Sequence, residues 1–323
     1  MKALTFSRFG DSNVLEYSEM PTPQLNANDI LVKMHAIGLN YADIYRRKGN
    51  YHLTRNPPYI AGYEGAGIVI DANNHADFKI GDRVAFADVP RANAELTAVP
   101  VDHAIPLPAH ISFDTAASAL LQGLTAHYLT TNSHYIKENE TVLIHAAAGG
   151  VGQLLTQICV TNKAIVIGLT TSKSKESIIS ENGAQAVFNL KSDWKNDVLN
   201  FTNGKGVDVV YDSVGSTLQD SLAITKMGGQ VVFYGMSGGD PKPVDPRILM
   251  DGSKTLTGGD LWSYLTSKEE RIKRAHKLFD WIKTDKIKIA APIKFSLSQG
   301  KAAHDFLESG KSAGKVLLIP DSI

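Results

Sequence analysis

The stretch His145-Ala146-Ala147-Ala148-Gly149-Gly150-Val151-Gly152 decides how the rest of the chain is read. It stands between a short apolar run over 141–146, the pattern of a buried strand, and a helical pattern over 150–161. Ala147, Gly149 and Gly152 occupy the three positions of G-x-G-x-x-G, with alanine at the first. Gly149 lets the backbone approach a pyrophosphate, and Gly152 lets the helix pack near the strand. The helix N-terminus adds free N–H groups and a positive dipole end. A lone glycine pattern is weak evidence, and the alternative is a merely tight structural turn. Here the pattern sits in a strand–turn–helix context and further units follow. Strands are expected over 164–170, 187–189, 207–212 and 229–235, and helices over 173–182, 194–201 and 217–227. The alternation predicts an α/β fold, a doubly wound parallel sheet of Rossmann type.

Upstream the texture changes. Ile30-Leu31-Val32-Lys33-Met34 and Ala66-Gly67-Ile68-Val69-Ile70 are short runs rich in β-branched residues. Pro21-Thr22-Pro23, Asn56-Pro57-Pro58 and Lys79-Ile80-Gly81-Asp82 mark turns among them. An antiparallel, barrel-like lobe is expected, with two short helices near 41–47 and 115–128. Downstream, 267–283 reads as an amphipathic helix with Ile272, Ala275, Phe279 and Ile282 on one face. Its face with Lys268, Lys273, Arg274 and Lys277 also carries Glu269, Glu270 and Asp280, so it reads as solvated rather than as an anion-binding patch. A helix over 299–309 and a strand over 315–318 close the chain, the strand free to return to the first lobe.

Composition bounds the function. The chain has 323 residues, suited to two domains. Lys plus Arg (33) equals Asp plus Glu (33), a poor footprint for nucleic acid. The single cysteine, Cys159, excludes a disulfide framework and a multi-cysteine zinc site, and it reads as a small buried hydrophobe. No apolar run approaches the roughly 18 residues of a membrane span, and no secretory signal is evident. A soluble, cytoplasmic protein without membrane or nucleic-acid partners is expected.

The stretch after the second Rossmann strand separates NAD from NADP. Leu169-Thr170-Thr171-Ser172-Lys173-Ser174-Lys175 contains no acid to hold ribose hydroxyls. Its hydroxyls at Thr170, Thr171 and Ser172, with Lys175, suit a 2′-phosphate and so NADPH. The alternative is an ordinary polar helix start capped by Ser172 or Thr171.

With that cradle in place, the chain resembles the zinc-independent quinone oxidoreductases of the medium-chain dehydrogenase/reductase superfamily. The resemblance covers nearly the whole chain. It rests on Ala36-Ile37-Gly38-Leu39-Asn40-Tyr41-Ala42-Asp43, Gly62-Tyr63-Glu64-Gly65-Ala66-Gly67, Gln122-Gly123-Leu124-Thr125-Ala126, the cradle, and Tyr211-Asp212-Ser213-Val214-Gly215. It implies a GroES-like β-barrel catalytic domain split into 1–124 and 260–323 around an NADP-binding Rossmann domain at 125–259. It also implies a cleft between the lobes and a homodimer. By position, Asn40 and Tyr45 would face the nicotinamide end and the substrate, and Tyr51 would line the cleft. Thr125 would contact the nicotinamide ribose or its phosphates. Ala147, Gly149, Gly150, Val151 and Gly152 would hold the pyrophosphate and Lys175 the 2′-phosphate. Ser213, Val214, Tyr234, Gly235 and Ser237 would lie beside the cofactor. Two departures bear on the phosphate. Leu190 stands where many relatives have Tyr, and Gly310, next to Lys311, where some have Arg. Lys175 and the hydroxyls at 170–172 must then carry more of the NADPH preference.

Zinc-using relatives have Cys at the position of Asn40 and His at that of Tyr63, so a metal-free reaction is expected. The ten histidines show no H-x-x-x-H spacing. Without a Lewis acid, the suitable acceptor is a small quinone or an enone, whose oxygen needs only hydrogen-bond donors as charge develops. Asn40, Tyr45 and Tyr51 are the donor candidates. Residues 257–264 are expected to line the cleft, with Trp262 or Tyr264 stacking on a planar acceptor or serving as hydrophobic anchors. The runner-up is an NADPH-dependent alkenal/one or enoyl-thioester reductase. From another class comes an NADPH-binding protein without turnover. Gly235-Met236-Ser237-Gly238-Gly239 also matches the nucleophile elbow of serine hydrolases. The Asp240-Pro241-Lys242-Pro243 that follows is a poor helix start, which argues against that reading.

Overall fold

The computed structural model describes residues 1–53 and 56–321. The chain forms two compact units, Met1–Leu121 with Leu265–Lys283 and Ile289–Ile323, and Gln122–Tyr264 with Thr284–Lys288.

The first unit is built on one long strand, β1 (Asp29–Leu39). Its Ile30, Val32, Met34, Ala36, Ile37 and Leu39 are all buried. It pairs antiparallel with β2 (Glu64–Asp71), with Leu96–Pro100, and with the C-terminal strand Val316–Ile319. The chain's end thus returns to the first lobe. A smaller three-stranded sheet joins Lys2–Phe6 to Glu16–Glu19 and Tyr59–Ile60. Helix α1 (Tyr41–Lys48) leaves β1 at Asn40. Asp43 in its first turn accepts from the Asn40 amide at 2.9 Å, and Gly49, at φ 84°, ends it. Several short strands here carry no sequence signal. Arg83–Phe86 and Ile105–Pro106 are four and two residues long, below the span at which alternation is visible.

The second unit carries six parallel strands. They are β3 (Thr141–Ile144), β4 (Ile165–Thr170), β5 (Ala186–Asn189), β6 (Val207–Asp212), β7 (Thr225–Phe233) and β8 (Thr255–Gly258). Their spatial order is β5-β4-β3-β6-β7-β8, so the winding reverses between β3 and β6, the arrangement of a Rossmann sheet. Helix α2 (Gly150–Thr161) follows β3. Leu143, Ile167, Val210 and Val231, all fully buried, are among the strand residues that share one core with Trp194 and Leu222. Three expectations need correction. The strand expected to Ala146 ends at Ile144, because Ala146 turns left-handed at φ 50°. The helix expected to Met227 ends at Ile224, because Thr225 pairs with Val207 and its hydroxyl closes the last turn on Ser221 O. The strand expected over 229–235 starts at Thr225 and ends at Phe233. β8, only Thr-Leu-Thr-Gly, has too short a pattern to read.

A buried charge cluster joins α1 to the C-terminal helix Gly300–Glu308. Arg47 is fully buried; its guanidinium donates to Glu308 at 2.5 Å and to His304 Nδ1 at 3.2 Å. Burial, reinforced by the Arg47 charge, lowers the His304 pKa to about 3. The imidazole therefore stays neutral in the folded state, as its acceptor role requires. Its unfolded pKa lies near 6.5, so the contribution is complete above that value and is lost as pH falls towards the folded one. One group of this kind lowers stability by about 2 kcal/mol between pH 8 and pH 5. Chemical denaturation of His304→Gln, which keeps an acceptor for Arg47, should show a shallower acid loss. An unchanged slope would assign that loss to another group.

Candidate active site

The cradle forms where β3 gives way to α2. The His145 amide donates to Tyr211 O at 3.1 Å and the Ala147 amide to Leu169 O at 3.0 Å, pinning the turn to both neighbouring strands. Gly149 N–H closes on Ala146 O at 2.8 Å, and Gly149 itself is extended at φ −74°, ψ 170°. The left-handed position of the turn therefore falls on Ala146, not on a glycine. A methyl at Gly152 would lie 2.4 Å from Ala146 O and 2.7 Å from Ala147 Cα. One at Gly150 would lie 2.0 Å from Gln122 Oε1. Gly152 needs glycine for space because it meets backbone; at Gly150 the end of the Gln122 side chain would have to move. The amides of Gly150, Val151 and Gly152 open the helix, where no preceding turn can accept from them. This donor set fits a dinucleotide's pyrophosphate.

At the end of β4, Thr170 Oγ1 accepts from the Ser172 amide at 3.2 Å. Ser172 precedes the short turn Lys173–Lys175 without capping it; its hydroxyl meets Ser174 Oγ at 2.8 Å. Thr171 is exposed. Lys175 is half-buried, and burial lowers its pKa. A dianionic phosphate would supply the compensating charge. Leu190, the residue after β5, donates its amide to Thr170 O and packs on the core.

The third part lies past β6 and β7. The fully buried Asp212 carboxylate collects the amides of Val214 (2.9 Å) and Gly215 (3.0 Å) and the hydroxyls of Thr217 (2.8 Å) and Ser221 (2.7 Å). Burial pushes the carboxyl up, but His145 and these donors outweigh it and hold the pKa below its ordinary value. Ser221 Oγ lies 2.9 Å from His145 Nε2, so one network links the start of the cradle to the loop after β6. That loop meets the next one. The Ser237 amide and hydroxyl both donate to Ser213 O at 3.0 Å, and the Gly238 amide donates to Val214 O at 2.9 Å. Tyr234 follows β7 and donates its amide to Asp212 O. Ser213, Val214, Tyr234, Gly235 and Ser237 are thus brought together at the carboxyl ends of β6 and β7. Thr125 is on the buried side of helix Phe113–Tyr128.

In the first unit, Asn40 is buried and both ends of its amide are committed. Lys315 Nζ donates to its Oδ1 at 2.7 Å, and its Nδ2 donates to Glu64 at 2.9 Å. Tyr45 and Tyr51 are half-buried, edge to face with ring centres 6.3 Å apart. The Arg46 guanidinium carbon lies 3.5 Å from the Tyr63 ring centre and 4.9 Å from that of Tyr51, while its Nε donates to His52 O at 3.1 Å. This cation fixes the segment that carries Tyr51. Gln122, Asp212, Glu64, Lys315 and Arg46 were not assigned from sequence. Four of them lie in or beside quoted motifs, but nothing in spacing announces a buried charge partner far along the chain.

The remaining candidates resolve structurally. Ser237 Oγ faces a backbone carbonyl, not a base, and the next helix starts only at Pro246. The cations of the helix Lys268–Lys283 are paired, Lys268 with Asp77, Arg271 with Asp88, and Lys273 and Arg274 with Glu270, and Arg274, on the face read as solvated, is buried. Cys159 is fully buried and burial raises its thiol pKa. Tyr264 stacks on Tyr128 with ring centres 4.5 Å apart.

Residues 26–138 match the alcohol dehydrogenase GroES-like domain and residues 150–281 the zinc-binding dehydrogenase family. Fold and cradle together define a nucleotide-dependent oxidoreductase of the medium-chain dehydrogenase/reductase superfamily. The chain is 36% identical over 316 residues to the probable quinone oxidoreductase of Schizosaccharomyces pombe, covering 97% of this chain and 95% of that protein. It is 30% identical to the 2-haloacrylate reductase of a Burkholderia species, over 100% and 99% of the two chains. The crystal structure of Escherichia coli quinone oxidoreductase complexed with NADPH superposes with a TM-score of 0.95 at 35% identity, covering 99% of this chain and 100% of that one. The chain belongs to the quinone oxidoreductase family of that superfamily.

Gly152→Ala tests the cradle. The added methyl forces the first turn of α2 away from Ala146, and NADPH affinity should fall by on the order of tenfold or more with the fold retained. Fluorescence titration measures it; unchanged affinity would remove Gly152 from the binding site.

Proposed function

We propose that the protein is an NADPH-dependent, zinc-independent quinone reductase. The observation that carries this is full-length similarity to quinone oxidoreductases, on a chain whose cradle has the glycine spacing and helix start a pyrophosphate needs. The bound nicotinamide supplies a hydride equivalent. The chain's part is to bind, orient and exclude water. Gly149, Gly150, Val151 and Gly152, with Ala147, hold the pyrophosphate. Thr170, Thr171, Ser172 and Lys175 hold the 2′-phosphate. Thr125, Ser213, Val214, Tyr234, Gly235 and Ser237 border the nicotinamide end. Tyr45 and Tyr51 are the donors for the acceptor; Asn40, expected as a third, gives both Nδ2 hydrogens to Glu64 and Gly38 O, so it lines the acceptor's place without donating to it. Asn40 and Tyr63 occupy positions where zinc-using relatives have ligands; one is tied to Glu64 and Lys315 and the other lies under Arg46. Hydrogen-bond donors therefore have to meet the charge that develops on the acceptor oxygen, which a quinone or an activated alkene permits. The full-length match to a 2-haloacrylate reductase supports an α,β-unsaturated carbonyl or carboxylate as the second reading. The same family resemblance supports a homodimer in the cytoplasm. No helix of the described residues is long and apolar enough to cross a membrane.

Absorbance at 340 nm with NADPH and a panel of benzoquinone, a naphthoquinone, phenanthrenequinone, a 2-alkenal and 2-chloroacrylate separates the readings. NADPH loss with the quinones, unaffected by chelator, is expected. Loss confined to the alkenes would move the protein to the second reading. No turnover with saturable NADPH binding would leave a cofactor-binding protein. In the same assay Lys175→Glu should raise KM for NADPH by about tenfold and leave KM for NADH little changed. An equal rise for both would place Lys175 away from the 2′-phosphate.

A further inference from the structure

Three side chains from three distant parts of the first unit meet in its interior. Asn40 precedes α1, Glu64 opens β2, and Lys315 adjoins the C-terminal strand; they are 6%, 0% and 3% exposed. Lys315 Nζ donates to Glu64 Oε2 at 2.5 Å and to Asn40 Oδ1 at 2.7 Å. Asn40 Nδ2 donates to the same Glu64 oxygen at 2.9 Å and to Gly38 O at 3.3 Å. The Leu121 amide holds the other Glu64 oxygen at 2.7 Å. Gly38 makes room: a methyl there would lie 2.2 Å from Glu64 Oε2.

The arrangement allows one amide orientation. A flipped Asn40 would set its NH2 against the lysine ammonium and its oxygen against a carboxylate. Stability alone does not call for such a pair, since neutral, well-packed side chains of similar volume generally serve as well. We propose that Lys315, acting with Glu64, is a positioning residue: it fixes the orientation of the Asn40 amide and thereby the placement of the acceptor. The inference rests on the reading that Asn40 lines the acceptor's place.

Four variants test it in the full-length protein: Lys315→Met, the double variant Glu64→Gln/Lys315→Met, Asn40→Ala, and the double variant with Asn40→Ala added. The charged neighbours are Asp43 and Arg46 on α1, paired with each other. Lys315→Met leaves Glu64 buried with only hydrogen-bond donors. A buried carboxylate without its counter-ion is costlier than a carboxylic acid, so the melting temperature lost relative to wild type should be larger at pH 8 than at pH 5, opposite in sign to the acid loss from His304. The double variant removes both charges and should recover the melting temperature and lose that added pH dependence. Its kcat with a naphthoquinone should nevertheless stay down by on the order of tenfold, with KM for NADPH within about twofold. Adding Asn40→Ala to the double variant should lower kcat no further than Asn40→Ala alone. Full recovery of kcat in the double variant, with Asn40→Ala still impaired, would overturn the positioning role and leave the pair structural. Wild-type kcat in Asn40→Ala would overturn the proposal at its base, through the reading of Asn40.

Discussion

The missing side chain at residue 152 is the constraint from which the nucleotide end follows. With no Cβ there, the first turn of α2 rests directly on the Ala146–Ala147 backbone, closer than any other residue permits. That contact fixes the helix axis against β3 and leaves the amides of Gly150, Val151 and Gly152 as the open end of the helix. The sheet then determines what surrounds that end. Winding reverses between β3 and β6, so the loops leaving both strands diverge and leave space at their carboxyl ends. Asp212 is the last residue of β6 and gathers the following loop around one carboxylate. Its link through Ser221 to His145 couples the two loops that flank the reversal. The geometry of the cradle is therefore a property of the strand ends, not of the glycines alone.

The first unit solves a different problem. It has to bury charge near the start of α1 without leaving any of it unpaired. Asp43 faces Arg46, Glu64 faces Lys315, and Arg47 faces Glu308. Burial still raises the Asp43 pKa, with Arg46 and the Asn40 amide pulling the other way. The first pair lies within α1; the other two join elements far apart in sequence, and both involve the last twenty residues of the chain. The short strands here give little propensity-based guidance. The polar pairings specify how the C-terminal segment registers against β1 and α1.

The sequence makes the two halves of the molecule unequally legible. The Rossmann unit reads well because a parallel sheet needs buried strands and amphipathic helices in strict alternation; helices 150–161 and 194–201 and the strand 207–212 stand where their periodicity places them. Periodicity loses accuracy where a turn is set by sterics or by one hydroxyl, as at Ala146 and Thr225. In the first unit it names β1, β2 and the C-terminal strand expected over 315–318, seen at Val316–Ile319, and misses the other two- to five-residue strands, which hold too few alternation cycles to stand out. Site residues divide the same way. Those with a steric signature, such as Gly149 and Gly152, can be found from spacing. Lys315, Arg46 and Gln122 cannot, because their significance lies in partners that only the fold brings near.

On the proposed metal-free reading, the positions where zinc-using relatives place Cys and His illustrate how a fold can be kept while its chemistry changes. Replacing a thiolate by the Asn40 amide removes a charge and adds a group with one donor end and one acceptor end. Such a group is useful only if its orientation is fixed, and the neighbouring cation and carboxylate fix it. Replacing an imidazole by Tyr63 adds an aromatic face, on which Arg46 rests. The substitutions exchange a coordination sphere for hydrogen bonds and a cation–π contact, both far weaker at polarising a carbonyl. A chain built this way suits acceptors that are electrophilic already, and quinones are among the most readily reduced of these.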